Sequence, residues 1–152
     1  MNPEQILVSA YRLISLYNST QKKPHTYSGG LALFPAQAHM LEMIGVSEGI
    51  TQSEIAEEYL LTKGAVSQVV SFLARNGLIE RKPSPKGGRS EGLFLSPRGE
   101  VLLSEHRMLH GEMLAEVTRL AEGLPPDSLE ILSQIARVME RHIRRLNDTE
   151  KG

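Results

Sequence analysis

Two groups of residues in this sequence have the types and spacing to do chemistry. His106 and His110 stand four apart, the interval at which two imidazoles share one face of a helix and can ligate a transition metal. Arg107 occupies the place where a zinc-hydrolase helix carries its catalytic glutamate, so the pair is not that motif. The second group is basic. Residues 62–98 hold Lys63, Arg75, Arg81, Lys82, Lys86, Arg89 and Arg98 against Glu80 and Glu91, a net charge of +5. Residues 1–61 and 99–152 are each -3, so the total of -1 conceals the block. Clustered cations suit phosphate, because they displace the counterions condensed on a polyanion.

The chain that must position these groups has 152 residues, 40% of them apolar and 23% charged. That is material for one globular domain with a real core. There is no cysteine, which excludes disulfide frameworks, cysteine zinc fingers and thiol catalysis. No apolar run approaches the ~20 residues that span a bilayer. The start, MNPEQILVSAYRL, has no basic segment before an apolar block and is not a secretory signal. A soluble cytoplasmic protein is expected. Gly-x-Ser-x-Gly, a phosphate loop and a cysteine nucleophile are all missing, so an enzyme is not expected.

Helical periodicity runs over residues 3–20, with Ile6, Ala10, Leu13, Ile14 and Tyr17 on one face. QKKPHTYSGG (21–30) reads as a loop. A second helix is predicted from Pro35 to Gly45, burying Met40, Leu41 and Ile44. Thr51 to Glu54 fits a capping box, opening a third helix over about 52–60 that buries Ile55, Ala56 and Leu60 or Leu61. Thr62 caps a fourth over about 63–76, with Val66, Val69, Val70 and Leu73 inward and Asn76-Gly77 at its end. Two short helices joined so tightly form a helix-turn-helix. Leu78–Arg81 and Leu93–Leu95 read as strands of a basic hairpin around SPKGGRSEG (84–92). Ser96 before Pro97 starts a long helix over about 97–122, striped by Leu102, Leu109, Met113, Val117 and Leu120. A last helix, 127–147, carries Leu132, Ile135, Met139, Ile143 and Leu146, with His142 in the same stripe. The fold class is mostly α: a winged helix-turn-helix with a two-stranded β wing and flanking dimerisation helices. Residues 34–98 form the winged lobe, and 3–20 with 100–147 the helical lobe. One small lobe cannot bury all these stripes, so a homodimer is expected.

FPAQAHMLEMIG (34–45), TQSEIAEEYLLTKGAVSQVVSFLARNGLIER (51–81), GGR (87–89) and LFLSPRG (93–99) together resemble the MarR family of bacterial transcription regulators. The resemblance covers residues 3–147. Gly87 stands where many members carry an aspartate two residues before the wing arginine, and Ser96 where threonine is favoured; serine keeps the cap chemistry. The resemblance implies a dimeric repressor on a near-palindromic double-stranded DNA operator, under control of a bound effector. The fourth helix would enter the major groove with Lys63, Gly64, Ser67, Gln68 and Ser71 outward and Thr62 at its cap. Lys63 suits a guanine edge or a phosphate, and Gln68 has the paired donor and acceptor that adenine needs. Gly64 costs a helix roughly 1 kcal/mol, which close approach to DNA would rationalise. Arg89 at the hairpin tip is the candidate for the minor groove, with Arg81, Lys82 and Lys86 on phosphates. The competing class is a winged helix that binds proteins without DNA, against which stands the placement of the +5 block.

Within the family, QAH (37–39) and HRMLH (106–110) resemble the zinc-uptake repressors, which implies zinc or another divalent transition metal at His39, His106 and His110. A further ligand there comes from the loop after the first helix, where this chain offers Gln21 or His25. Counting 100° per residue from Leu102, His106 lies at about 40° and His110 at about 80°, against a stripe of roughly -20° to 60°. His106 is thus expected inside the buried side and His110 at its edge. Ligating imidazoles must be neutral, so such a site weakens below about pH 6.5. The alternative effector is an aromatic or amphipathic small molecule bound between the dimer helices and the winged lobe, in an apolar pocket lined by Met40, Met43, Met108 and Met113.

Overall fold

The structure is a computed structural model and describes residues 2–85 and 90–149. The chain divides into two compact units, 1–106 and 107–152, the boundary falling inside a helix. In the first unit, α1 (Pro3–Thr20) opens on a capping box in which Asn2 and Gln5 each accept the other's backbone N–H. Then come β1 (His25–Thr26), β2 (Ala32–Leu33), α2 (Pro35–Val46), α3 (Gln52–Glu58), α4 (Lys63–Arg75), β3 (Ile79–Pro83), β4 (Glu91–Leu95) and α5 (Pro97–Leu109). The second unit holds α6 (Gly111–Glu122) and α7 (Ser128–Thr149).

The helix-turn-helix forms where its caps put it. Thr51 Oγ1 accepts from Glu54 N while the Glu54 carboxylate accepts from Thr51 N, closing the box that starts α3. Thr62 Oγ1 accepts from Ala65 N and starts α4. Gly77, at φ +67°, ends α4 in the left-handed region that favours glycine. Ile44, Ile55, Val66, Val70, Leu73, Leu78 and Leu93 are withdrawn from solvent and form one core with Leu33, Leu41, Leu102 and Leu103. β3 and β4 pair antiparallel from Ile79↔Leu95 to Pro83↔Glu91, and Leu93 also bridges to Ile50.

At the base of this hairpin the chain is pinned. Ser96 Oγ accepts from Gly99 N and donates to Gly77 O, Ser96 N donates to Leu78 O, and Arg98 donates to Asn76 O. Serine thus supplies the cap of α5. A Cβ on Gly99 would lie 2.0 Å from Leu78 O, so only glycine lets the first turn of α5 approach so closely.

Three expectations are corrected. Leu60 and Leu61 are exposed rather than buried, because α3 stops at Glu58 and Leu60 turns the chain at φ +53°, taking both side chains off the helical face. The predicted long helix is two, α5 and α6, broken at His110 (φ -98°, ψ 0°) before Gly111. His110 N turns to Arg107 O three residues back, and glycine, the weakest helix former after proline, gives little to resist the break. Residues 21–30 are not all loop: His25↔Leu33 and Thr26↔Ala32 pair around a tight turn. The stripes of the outer helices, expected to be covered only in a homodimer, are uncovered in the single chain. Leu109, Met113, Val117, Leu120, Leu132, Ile143 and Leu146 are all exposed, and so are Leu13, Ile14 and Tyr17 of α1. Ile135 and Met139 are half-buried, and His142 is exposed.

Candidate nucleic-acid interface and histidine cluster

Turning Val66, Val70 and Leu73 into the core leaves the opposite face of α4 to solvent. Lys63, Gly64, Ser67 and Gln68 are exposed there, with Ser71 half-buried at the margin. Thr62 is spoken for as the cap, so any contact it makes comes in addition to that bond. Nothing lies within 4 Å of where a Gly64 side chain would begin, so the glycine does not serve packing within the chain. Ser67, Gln68 and Ser71 border an open concavity of about 560 Å³ together with Arg75 from the last turn and Gln37 from α2. Arg75 was missed as a contact candidate from sequence; its place one turn past Ser71 on the same face was the available signal.

On the hairpin, Arg81 pairs with Glu91 at 3.4 Å and Lys82 with Glu80 at 2.7 Å, and the Lys82 ammonium sits 5.5 Å from the centre of the Phe94 ring. All four charged groups stay substantially exposed, so these pairs hold the side chains only weakly. Lys86, Gly87 and Arg89 lie outside the described residues.

The histidines converge. His39, His106 and His110 each offer a ring nitrogen within 4.8 Å of the other two, and no other group of three candidate ligands occurs among the described residues. His106, on α5, is buried; His39, on α2, is half-buried; His110, just past the end of α5, is exposed. The His39 and His106 rings meet edge to face at 5.5 Å. Each is also held by a phenol. Tyr17 Oη lies 2.6 Å from His39 Nδ1, and Tyr27 Oη 2.8 Å from His106 Nδ1. His25 is not part of the group; it packs edge-on against Tyr27 at 4.8 Å. Nor is Gln21, whose amide donates to Tyr17 O.

Burial, with the Glu105 carboxylate adding to it, pushes the Tyr27 hydroxyl above its ordinary pKa, so it remains a neutral hydrogen-bonding group. Hydrogen bonds from Ser28 hold the Glu105 carboxyl below its usual range, and that contact ties the β1–β2 turn to α5. Neither tyrosine was singled out from sequence as a partner of the cluster, because each reaches its histidine across 22 or 79 residues. Of the four methionines, Met40 is in the core, Met43 packs partly buried against it, and Met108 and Met113 are exposed in the single chain.

The sequence pattern of the MarR family matches residues 33–90. Along more of the chain, an HTH-type transcriptional regulator of Bacillus cereus (strain ZK / E33L) is 25% identical over 131 residues, covering 86% of each chain. Among solved structures, Streptococcus pneumoniae FabT in complex with DNA superposes with a TM-score of 0.63 at 20% identity, covering 94% of this chain and 96% of that one. Lactococcus lactis ZitR in complex with DNA gives 0.63 at 16% identity, with 94% and 99% covered. The zinc-dependent MarR-family regulator AdcR in its Zn(II)-bound state gives 0.59 at 21%, again with 94% and 99% covered. The MarR-type fold thus extends through nearly the full chain. No helix among the described residues is long and apolar enough to cross a membrane.

Proposed function

We propose that this chain is a cytoplasmic DNA-binding transcription regulator, a homodimeric repressor on a near-palindromic operator, whose DNA affinity is set by a divalent transition metal. The observation that carries the DNA reading is the polar outer face of α4, capped at Thr62 and free of packing at Gly64. Lys63, Gly64, Ser67, Gln68 and Ser71 read the major groove, with Arg75 and Thr62 at either end of that face. Arg81, Lys82 and Lys86 take phosphates and Arg89 the minor groove. The likeness to FabT and ZitR solved with DNA supports the same reading.

The metal reading rests on the donor set. Imidazole nitrogens suit zinc and its neighbours, and His39, His106 and His110 bring three of them together without a cysteine or carboxylate in the group. A bound divalent ion would supply a crosslink between α2 and α5, favouring one spacing of the structure over others. Zinc-bound AdcR among the structural likenesses adds support.

Fluorescence anisotropy at fixed salt, using DNA from upstream of the protein's own coding region, tests both halves. Tight, salt-sensitive binding that changes between chelator and added zinc is the expected result. Binding indifferent to zinc would return the histidines to structural duty. No binding in either condition would favour a winged helix that recognises proteins.

A further inference from the structure

We infer that Tyr17 and Tyr27 are positioning residues for the histidine cluster, each holding an imidazole by Nδ1 so that its Nε2 is the atom turned to the metal. The inference rests on the metal reading above and assigns which atoms and which supporting side chains carry it. A metal-ligating histidine uses the lone pair of one ring nitrogen, and the other nitrogen then bears a proton that needs an acceptor. Here the Nδ1 atoms of both His39 and His106 face phenol oxygens at 2.6 and 2.8 Å. The same arrangement occurs twice, from elements far apart in the chain: Tyr17 on α1, and Tyr27 at the turn between β1 and β2.

Tyr27 is buried to 6% exposure, where a hydroxyl without a partner costs free energy. Its backbone is fixed on both sides, its N–H donating to Leu31 O and its carbonyl accepting from Gly30 N. The turn is then fastened to α5 by Ser28 N donating to Glu105, one residue before His106. The Tyr17 ring stacks on His39 at 5.7 Å with 18° between planes, which sets the tilt of that imidazole as well as its hydrogen bond.

A phenol differs from the carboxylates and carbonyls that commonly support such histidines, because it can donate as well as accept. With the proton on Nε2, the hydroxyl donates to Nδ1; with the proton on Nδ1, the hydroxyl turns and accepts. Either tautomer therefore keeps a satisfied hydrogen bond. Nε2 ligation shifts the proton within the ring to Nδ1, and no net proton leaves the imidazole.

The test uses the full-length chain and its Tyr17→Phe and Tyr27→Phe variants, which keep the rings and delete the hydroxyls. Zinc affinity measured against a competing chelator should fall roughly tenfold to a hundredfold in each variant. Imidazole ¹⁵N spectra of the zinc-loaded parent should show Nδ1 protonated and Nε2 on the metal at both His39 and His106. Metal on Nδ1, or unchanged zinc affinity in the variants of a parent that binds zinc, overturns the assignment and leaves the metal reading standing. A parent that binds no zinc overturns both. Should Tyr27→Phe fail to fold, Tyr17→Phe decides, since Tyr17 is exposed and contributes little to the core.

Discussion

Helices α3 and α4 and helices α6 and α7 are built from the same kinds of apolar residue at the same helical spacing, yet the first pair is sealed and the second is bare. Ile55, Val66, Val70 and Leu73 are at 0% exposure, whereas Val117 and Leu132 are each at 55%. The difference lies in what each face meets. α4 packs against α2, α3 and β3 within its own unit, while α6 and α7 leave much of their stripes facing water. α1, which belongs to the first unit, does the same with Val8, Tyr11 and Leu13. A periodic stripe thus announces that a helix face will be covered, but not by which chain. Exposed apolar stripes of this kind are what the proposed homodimer would cover.

That contrast can be broken from either side. The largest expected effect comes from charging a bare stripe: Val117→Glu together with Leu132→Glu should convert dimer to monomer by sedimentation and abolish operator binding, with α-helical content retained. A dimer that survives both changes would place the interface elsewhere. Next in size, Gly99→Ala attacks the sealed region, where the new methyl meets Leu78 O; a loss of about 3 kcal/mol in denaturant unfolding is expected, without a change in the dimer's contacts. Smaller and opposite in sign, Gly64→Ala should raise stability by up to about 1 kcal/mol and yet weaken DNA binding, because the methyl enters space that only DNA would fill. Equal or better DNA affinity would remove α4's first turn from the interface. Smallest of all, Glu80→Gln frees Lys82 from its exposed ion pair, and a gain of about twofold in DNA affinity at low salt is expected.

Much of the winged unit was legible because its boundaries are written in side chains that satisfy backbone groups nearby. Thr51 with Glu54, Thr62, Asn76-Gly77 and Ser96 each mark a helix end, and all four do so in the structure. His106 is buried on the side of α5 that carries Leu102 and Leu103, although the rest of the stripe counted for it, Leu109 to Leu120, is exposed and lies beyond or at the end of that helix. Its ring nitrogen comes within 4.8 Å of those of His39 and His110. Features set by contacts distant in sequence were not legible. The β1–β2 pairing is two residues long, too short for any periodicity. Leu60 takes a positive φ that no local residue type announces. The phenols of Tyr17 and Tyr27 find their histidines only once the helices have packed. The break at His110 is intermediate: Gly111 was visible, but a single glycine in an apolar stripe is as often tolerated as not.

The bonds from Ser96 and Arg98 to residues 76–78 have a mechanical meaning. They rivet the first turn of α5 to the trailing end of α4, about 20 Å along that helix from Lys63 at 1.5 Å per residue. Because α4 is also sealed against α2 and α3, a tilt at the rivet turns the packed helices together, and one of only about 10° carries Lys63 through roughly 3.4 Å, about one base-pair step of a duplex. In the proposed regulator, so slight a rotation is enough to put the outer face of α4 into or out of register with the bases it would read.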